Sequence, residues 1–115
     1  MLTLNELHAP KARILSINGK IDAKTMGEFE TALRSILDGG HNNLVLDFSE
    51  VAFISSAGFG ILMSVIEEIR DFGGDLVLAR VQPEVFRIFD MLDFTTLFRF
   101  FDTVEAAAES FGNPS

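Results

Sequence analysis

Apolar residues along the chain fall into two recurring patterns, short uninterrupted runs and longer stretches at helical spacing. Their alternation predicts α/β units around a largely parallel sheet. The opening departs from this rule. Met1 to Leu7 and Arg13 to Asn18 read as strands, and the short link His8-Ala9-Pro10-Lys11 between them predicts an antiparallel hairpin. Gly19 is expected to end the second strand. From about Ala23 to Leu37 the positions Met26, Phe29, Leu33, Ile36 and Leu37 keep helical spacing. Thr25 with Glu28 has the form of a capping box there, and Asp22 competes as the N-cap. Gly39-Gly40 stops that helix, and Leu44-Val45-Leu46 has the unbroken apolar character of a central strand covered on both faces.

A brief extended piece, Val51 to Ile54, leads into a helix from about Ser56 to Asp71. Its apolar set is Ile61, Leu62, Val65, Ile66 and Ile69, opposed by Glu67, Glu68 and Arg70. Gly73-Gly74 closes it, and Leu76 to Ala79 supplies another buried strand. Pro83 suits the first turn of a third helix with Val85, Ile88, Phe89 and Leu92 as its apolar stripe. Phe98 to Phe101 reads as a final strand. Asp102 with Glu105 caps a last helix that buries Val104, Ala107, Ala108 and Phe111. The expected order is β-β-α-β-α-β-α-β-α, a single α/β domain over residues 1–111 in which a mixed, mostly parallel sheet is flanked by about four helices. A flexible tail is expected at residues 112–115.

With 115 residues there is no room for a second domain. Seventeen acidic against nine basic residues, a formal charge of −8, argue against nucleic acid and anionic membranes as partners, since both select for Lys and Arg. The absence of cysteine excludes disulfides, thiolate metal sites and cysteine nucleophiles. The N-terminus lacks the layout of a leader, and no apolar run approaches the about 20 residues that span a bilayer, so a cytoplasmic location is expected. Phe is used twelve times while Trp and Tyr are absent, so the aromatic residues fill space without polar handles.

Little in the chain supports catalysis. His8 and His41 sit in predicted turns without a partner at metal-ligand or nucleophile–base spacing. Gly58-Phe59-Gly60 lacks the third glycine of a dinucleotide fingerprint, which would fall at Met63, and lacks the Gly-Lys-Ser/Thr ending of a P-loop. No metal or cofactor is called for. One segment remains unusual: Phe53-Ile54-Ser55-Ser56-Ala57-Gly58-Phe59-Gly60. Two glycines in the first turns of a helix cost about 1 kcal/mol each relative to alanine, so something nearby must favour having no side chain. Ser56, where strand gives way to helix, reads either as the N-cap or as a phosphorylation site, because a helix N-terminus tolerates the added negative charge.

This segment and its context resemble the STAS domain, in particular the bacterial anti-sigma factor antagonists (anti-anti-sigma factors). The likeness runs through Gly19-Lys20-Ile21-Asp22, Leu44-Val45-Leu46-Asp47-Phe48-Ser49, Ser55-Ser56-Ala57-Gly58-Phe59-Gly60, Gly73-Gly74 and Phe89-Asp90-Met91-Leu92, in order over most of the chain. The resemblance implies that Ser56 is the phosphate acceptor, with Ser55 as its rival, and that Asp22, Ser55, Ser56, Ala57, Gly58, Phe59 and Gly60 meet the partner. Ser55 stands where the family carries Asp, Ala57 where it carries Ser or Thr, and Phe59 where it carries Leu. The implied partners are an anti-sigma factor that is also a serine kinase, and a PP2C-type phosphatase. The chain would then be a ligand and a substrate, needing no cofactor, and not an enzyme.

Two other functions compete with this one. The altered Ser55 and Ala57 suit a STAS adaptor subunit of a transporter or signalling scaffold without phosphate turnover, and a helix N-terminus able to hold phosphate suits a nucleotide-binding domain. Phe86, off the stripe of its helix, is a further candidate contact. The acidic charge would steer the domain toward a basic docking face.

Overall fold

The computed structural model describes residues 2–111, so the expected tail at 112–115 lies outside the described residues. Five strands and four helices follow in the expected order: β1 Thr3–His8, β2 Arg13–Ile21, α1 Met26–Asp38, β3 Asn43–Ile54, α2 Ser56–Asp71, β4 Asp75–Ala79, α3 Pro83–Met91, β5 Arg99–Phe101 and α4 Val104–Glu109. The strands lie side by side in chain order. β1 is antiparallel to β2 and every later pair is parallel.

Because each parallel step moves the same way across the sheet, right-handed crossovers deliver α1, α2 and α3 to one face. There Phe29, Leu33 and Ile36 from α1, Leu62, Val65, Ile66 and Ile69 from α2, and Val85 and Phe89 from α3 bury Leu15, Leu46, Phe48 and Leu78 of the sheet. α4 covers the other face, packing Ala107 and Ala108 on Ala12, Ile14, Val45, Val77 and Ala79. The central run Leu44-Val45-Leu46 is therefore buried on both sides. Phe89 is the hub of the aromatic packing, with ring centroids 4.7 Å from Phe59, 5.3 Å from Phe100, 5.7 Å from Phe98 and 6.4 Å from Phe48. Edge-to-face pairs of this kind add about 0.5–1.5 kcal/mol each beyond the area they bury. No helix among the described residues is long and apolar enough to cross a membrane.

Several local expectations are corrected. β2 does not end at Gly19 but runs to Ile21, passing Gly19 at φ 129°, a conformation open to glycine. β3 is one strand of 12 residues, with no break between Leu46 and Val51. Leu44 to Asp47 pair with both β2 and β4, Asn43 pairs with β4, and the second half of the strand pairs with β2 alone. Two register shifts, between Ser16 and Asn18 and between Gly19 and Lys20, set one extra β3 residue each against β2 and bend this ribbon.

At α1 the capping box does not form. Thr25 is buried and its hydroxyl donates to the Lys20 carbonyl (2.6 Å), while Asp22 Oδ1 accepts from the Lys24 and Thr25 N–H groups at 2.9 and 3.2 Å. Thr103, not Asp102, caps α4, accepting from the Ala106 N–H. Leu92 falls just past the end of α3 and is 45% exposed, so the stripe is closed by Phe89.

Candidate functional site

The β2–β3 ribbon projects beyond the end of β4, and the unusual segment sits at its tip. Ile21 pairs with Ile54 as the last rung, and the Ser55 N–H donates to the Ile21 carbonyl at 2.8 Å, which carries the ladder one residue into the turn. Asp22 and Ser55 therefore leave the ends of adjacent parallel strands. In α/β sheets, ligand and partner sites gather outside these carboxyl ends. His8, opposite Arg13, and His41, just before β3, lie at the other end of the sheet.

Ser55, not Ser56, is the N-cap of α2. It is extended (φ −80°, ψ 167°), and its hydroxyl accepts from the Gly58 N–H at 3.2 Å. Ser56 is the first helical residue and is exposed, as is Ala57, and neither N–H has an acceptor among the described residues. The first turn of α2 carries no acidic side chain, so its positive dipole end meets no fixed anion on the helix itself.

The two glycines have different physical reasons. A Cβ at Gly58 would stand 2.8 Å from Ile54 Cγ1 and 2.9 Å from Ile21 Cγ2, so glycine lets α2 descend onto the last rung of the ribbon. A Cβ at Gly60 would meet nothing within 4 Å, and the residue is exposed. Packing inside the chain thus accounts for Gly58 and not for Gly60. Phe59 turns inward: it is 3% exposed, edge-on to Phe89 and 5.6 Å from Phe94. It anchors α2 in the core and is not available to a partner, which corrects its expected role as a contact. Gly58 is likewise buried.

Asp22 is drawn below the usual carboxylate range, first by the Lys24 N–H and then by the Thr25 hydroxyl and N–H, against a smaller opposing effect of burial. Its carboxylate is thereby occupied in shaping the β2–α1 turn. Phe86, 39% exposed, rests edge-on against Phe100 at 5.0 Å, a half-buried position at the sheet edge away from the ribbon tip.

One supporting group escaped sequence reasoning. Asp47, 6% exposed where β3 parts from β4, takes Arg80 Nη2 at 2.7 Å and Nε at 3.2 Å, and also the Ser49 N–H at 3.1 Å. Burial alone would raise the Asp47 carboxyl, but the hydrogen bonds from Arg80 and Ser49 and the Arg80 charge outweigh it and hold it below its ordinary value. Arg80 adopts φ 57°, rare for a residue with a Cβ. Nearby, Gln82 Nε2 donates to the Ser49 carbonyl at 2.8 Å. These contacts tether the start of the projecting half of β3.

Residues 4–107 match the STAS domain. The chain belongs to the STAS domain family. Among its relatives is a candidate anti-sigma factor antagonist, BtrV, of Bordetella bronchiseptica, 31% identical over 98 residues that make up 85% of this chain and 84% of that one. A candidate anti-sigma factor antagonist from Thermotoga maritima shares the fold at TM-score 0.89 and 21% identity, over 96% of this STAS domain and 95% of that chain. The Bacillus cell fate determinant SpoIIAA, solved in its phosphorylated form, superposes at TM-score 0.72 and 15% identity, over 96% of this chain and 98% of that one. At these identities the two structures bear on fold, and this STAS domain has the five-stranded mixed sheet with four helices expected of it.

Proposed function

We propose that this STAS domain is an anti-sigma factor antagonist whose unphosphorylated form binds an anti-sigma factor with serine kinase activity and so frees the sigma factor. Phosphorylation of Ser56 switches that binding off, and a PP2C-type phosphatase restores it. The observation that carries this reading is the pairing of an exposed Ser56 at the first position of α2 with a neighbour, Ser55, whose hydroxyl is already engaged as the cap. Ser56 Oγ has no hydrogen-bond partner among the described residues, so it is the hydroxyl open to attack, and Ser55 yields its place as rival acceptor. In the transfer the γ-phosphoryl of ATP passes to Ser56 Oγ, the hydroxyl proton leaves to a base on the kinase, and ADP departs. The nucleotide and Mg²⁺ belong to the kinase, and this chain acts as ligand and substrate.

Gly60 adds independent support. A glycine in an exposed helix costs about 1 kcal/mol and no neighbour in the chain requires it, whereas a partner approaching the first two turns of α2 would. With Ser56 and Ala57, Gly60 makes the docking surface, and Asp22 and Ser55 shape its base. Mass spectrometry after incubation with the cognate kinase and ATP is expected to place one phosphate on Ser56 and none on Ser56→Ala. Phosphate on neither serine would overturn the reading.

A further inference from the structure

α4 has six residues and covers only part of its face of the sheet, where Ile14, Val45 and Val77 stand in one apolar row. Toward the carboxyl ends of β2 and β3 the same face turns polar. Asn5, Ser16 and Asp47 make one row across β1, β2 and β3, and Thr3, Asn18 and Glu50 make the next. Rows on one face follow at about 6.6 Å and neighbouring strands at about 4.8 Å. With Arg80 at one end, these six side chains line a cavity of 290 Å³, at the small end of the about 300–1,000 Å³ typical of small-molecule sites. Ile17, also in the lining, turns its own side chain into the core on the other face. Asp47 is the buried floor, its oxygens taken by Arg80, the Ser49 N–H and, at 3.4 Å, the Ser16 hydroxyl. The side-chain amides of Asn5 and Asn18 and the Nη1 of Arg80 have no hydrogen-bond partner among the described residues.

We infer that this cavity binds a small neutral polyol or monosaccharide, at a site separate from the α2 tip and independent of Ser56. A hydroxyl group both donates and accepts, and the lining offers both functions: the amides of Asn5 and Asn18 and the guanidinium of Arg80 donate, while the amide carbonyls and the Glu50 carboxylate accept. Spread over two rows and three strands, these groups reach several hydroxyls of one ligand at once. Charge sets the class. Asp47 and Arg80 neutralise each other, Glu50 leaves one negative charge in the lining, and Glu105 on α4 acts on Arg80 from outside it. Lys20 stands one rung beyond Gly19, opposite Phe53, and is not part of the lining. An anionic ligand therefore finds no uncommitted cation there, and an apolar one finds no apolar side chain to lie against.

The test is an amide NMR titration of the full, nitrogen-labelled chain with myo-inositol and D-glucose, and with glucose 6-phosphate as the charged comparison. At least one neutral probe is expected to shift the side-chain amide signals of Asn5 and Asn18 and the backbone signals of Ser16 and Ser49 saturably, with a dissociation constant of about 1 mM or tighter. Glucose 6-phosphate is expected to bind at least about tenfold more weakly. Asn5 and Asn18 are exposed, so Asn5→Ala/Asn18→Ala keeps the fold, as its own spectrum checks, and is expected to bind the neutral probe at least about tenfold more weakly. Thr31→Ala, on the far side of the sheet in α1, is expected to leave binding unchanged. The inference is overturned by the absence of saturable shifts at about 100 mM of both neutral probes, by shifts confined to other parts of the chain, by equal affinity for glucose 6-phosphate, or by unchanged affinity in the folded double variant. No kinase or partner enters the experiment, so failure of the proposed phosphorylation leaves its result intact.

Discussion

Arg80 grips Asp47 through two guanidinium nitrogens, at 2.7 and 3.2 Å, from a left-handed backbone position across 33 residues of sequence. The pair is asymmetric, because the carboxylate is buried while the guanidinium stays half in solvent. Removing the arginine leaves a buried charge without its counterion, which is costlier than the pair is worth when intact. Arg80→Ala is expected to lose about 2 kcal/mol in urea unfolding. Arg80→Gly loses about 1 kcal/mol less, since glycine adopts φ 57° without penalty.

The same pair sets an acid limit. The folded Asp47 carboxyl lies below its ordinary value, so the unfolded chain binds its proton first as pH falls. Its contribution is present in full above about pH 4 and is lost as pH drops through the lower, folded value. Asp47→Asn is therefore expected to lower stability at pH 7 and to flatten its decline below pH 4, as followed by thermal unfolding against pH.

The two glycines of α2 separate stability from binding. Gly58→Ala forces a methyl against Ile54 and Ile21 and is expected to cost about 1–3 kcal/mol. Gly60→Ala meets open space and should gain up to about 1 kcal/mol in stability. Calorimetry with the anti-sigma partner is expected to show at least a tenfold loss of affinity for this stabilised variant. Unchanged affinity would remove Gly60 from the docking surface.

The adjacent serines are expected to divide in the same way. Ser55→Ala deletes the cap on Gly58 and costs about 1 kcal/mol, with phosphorylation retained. Ser56→Ala leaves stability within about 0.5 kcal/mol and abolishes phosphorylation. Ser55→Asp keeps a cap and supplies a carboxylate to the α2 dipole, so its melting temperature is expected to equal or exceed that of the parent.

Phe59→Ala removes a buried ring from between Phe89 and Phe94 and is expected to cost about 3–5 kcal/mol. Since the ring faces the core, the milder Phe59→Leu should bind the partner as the parent does once both are fully folded.

The order of elements and most of the core were legible because periodicity reports directly on which side of a helix or strand meets the core. The β3 boundary was not. Ser49 and Glu50 look like a break, yet the strand continues there beside β2 alone, where Glu50, Ala52 and Phe53 reach solvent between the buried Phe48, Val51 and Ile54 and the apolar run ends without the strand ending. The cap of α2 was misplaced by one residue because consecutive serines are chemically equal, and only the backbone angles of Ser55 decide between them. Thr25 matched a capping box, but its hydroxyl is spent on the Lys20 carbonyl at the end of a strand, a tertiary contact with no local signature. Asp47 and Arg80 were invisible as a pair for the same reason. The candidate segment itself stood out because its glycines broke a local rule, and one of them still lacks an internal cause.

The empty space beside Gly60 also has a practical meaning. Any screen that scores folding, expression or thermal tolerance would reward filling that position, and on the proposed docking surface it would select variants that hold together better while binding worse. Under that proposal the amino acid found there answers to the partner's shape, and its fitness would be measured only with the partner present.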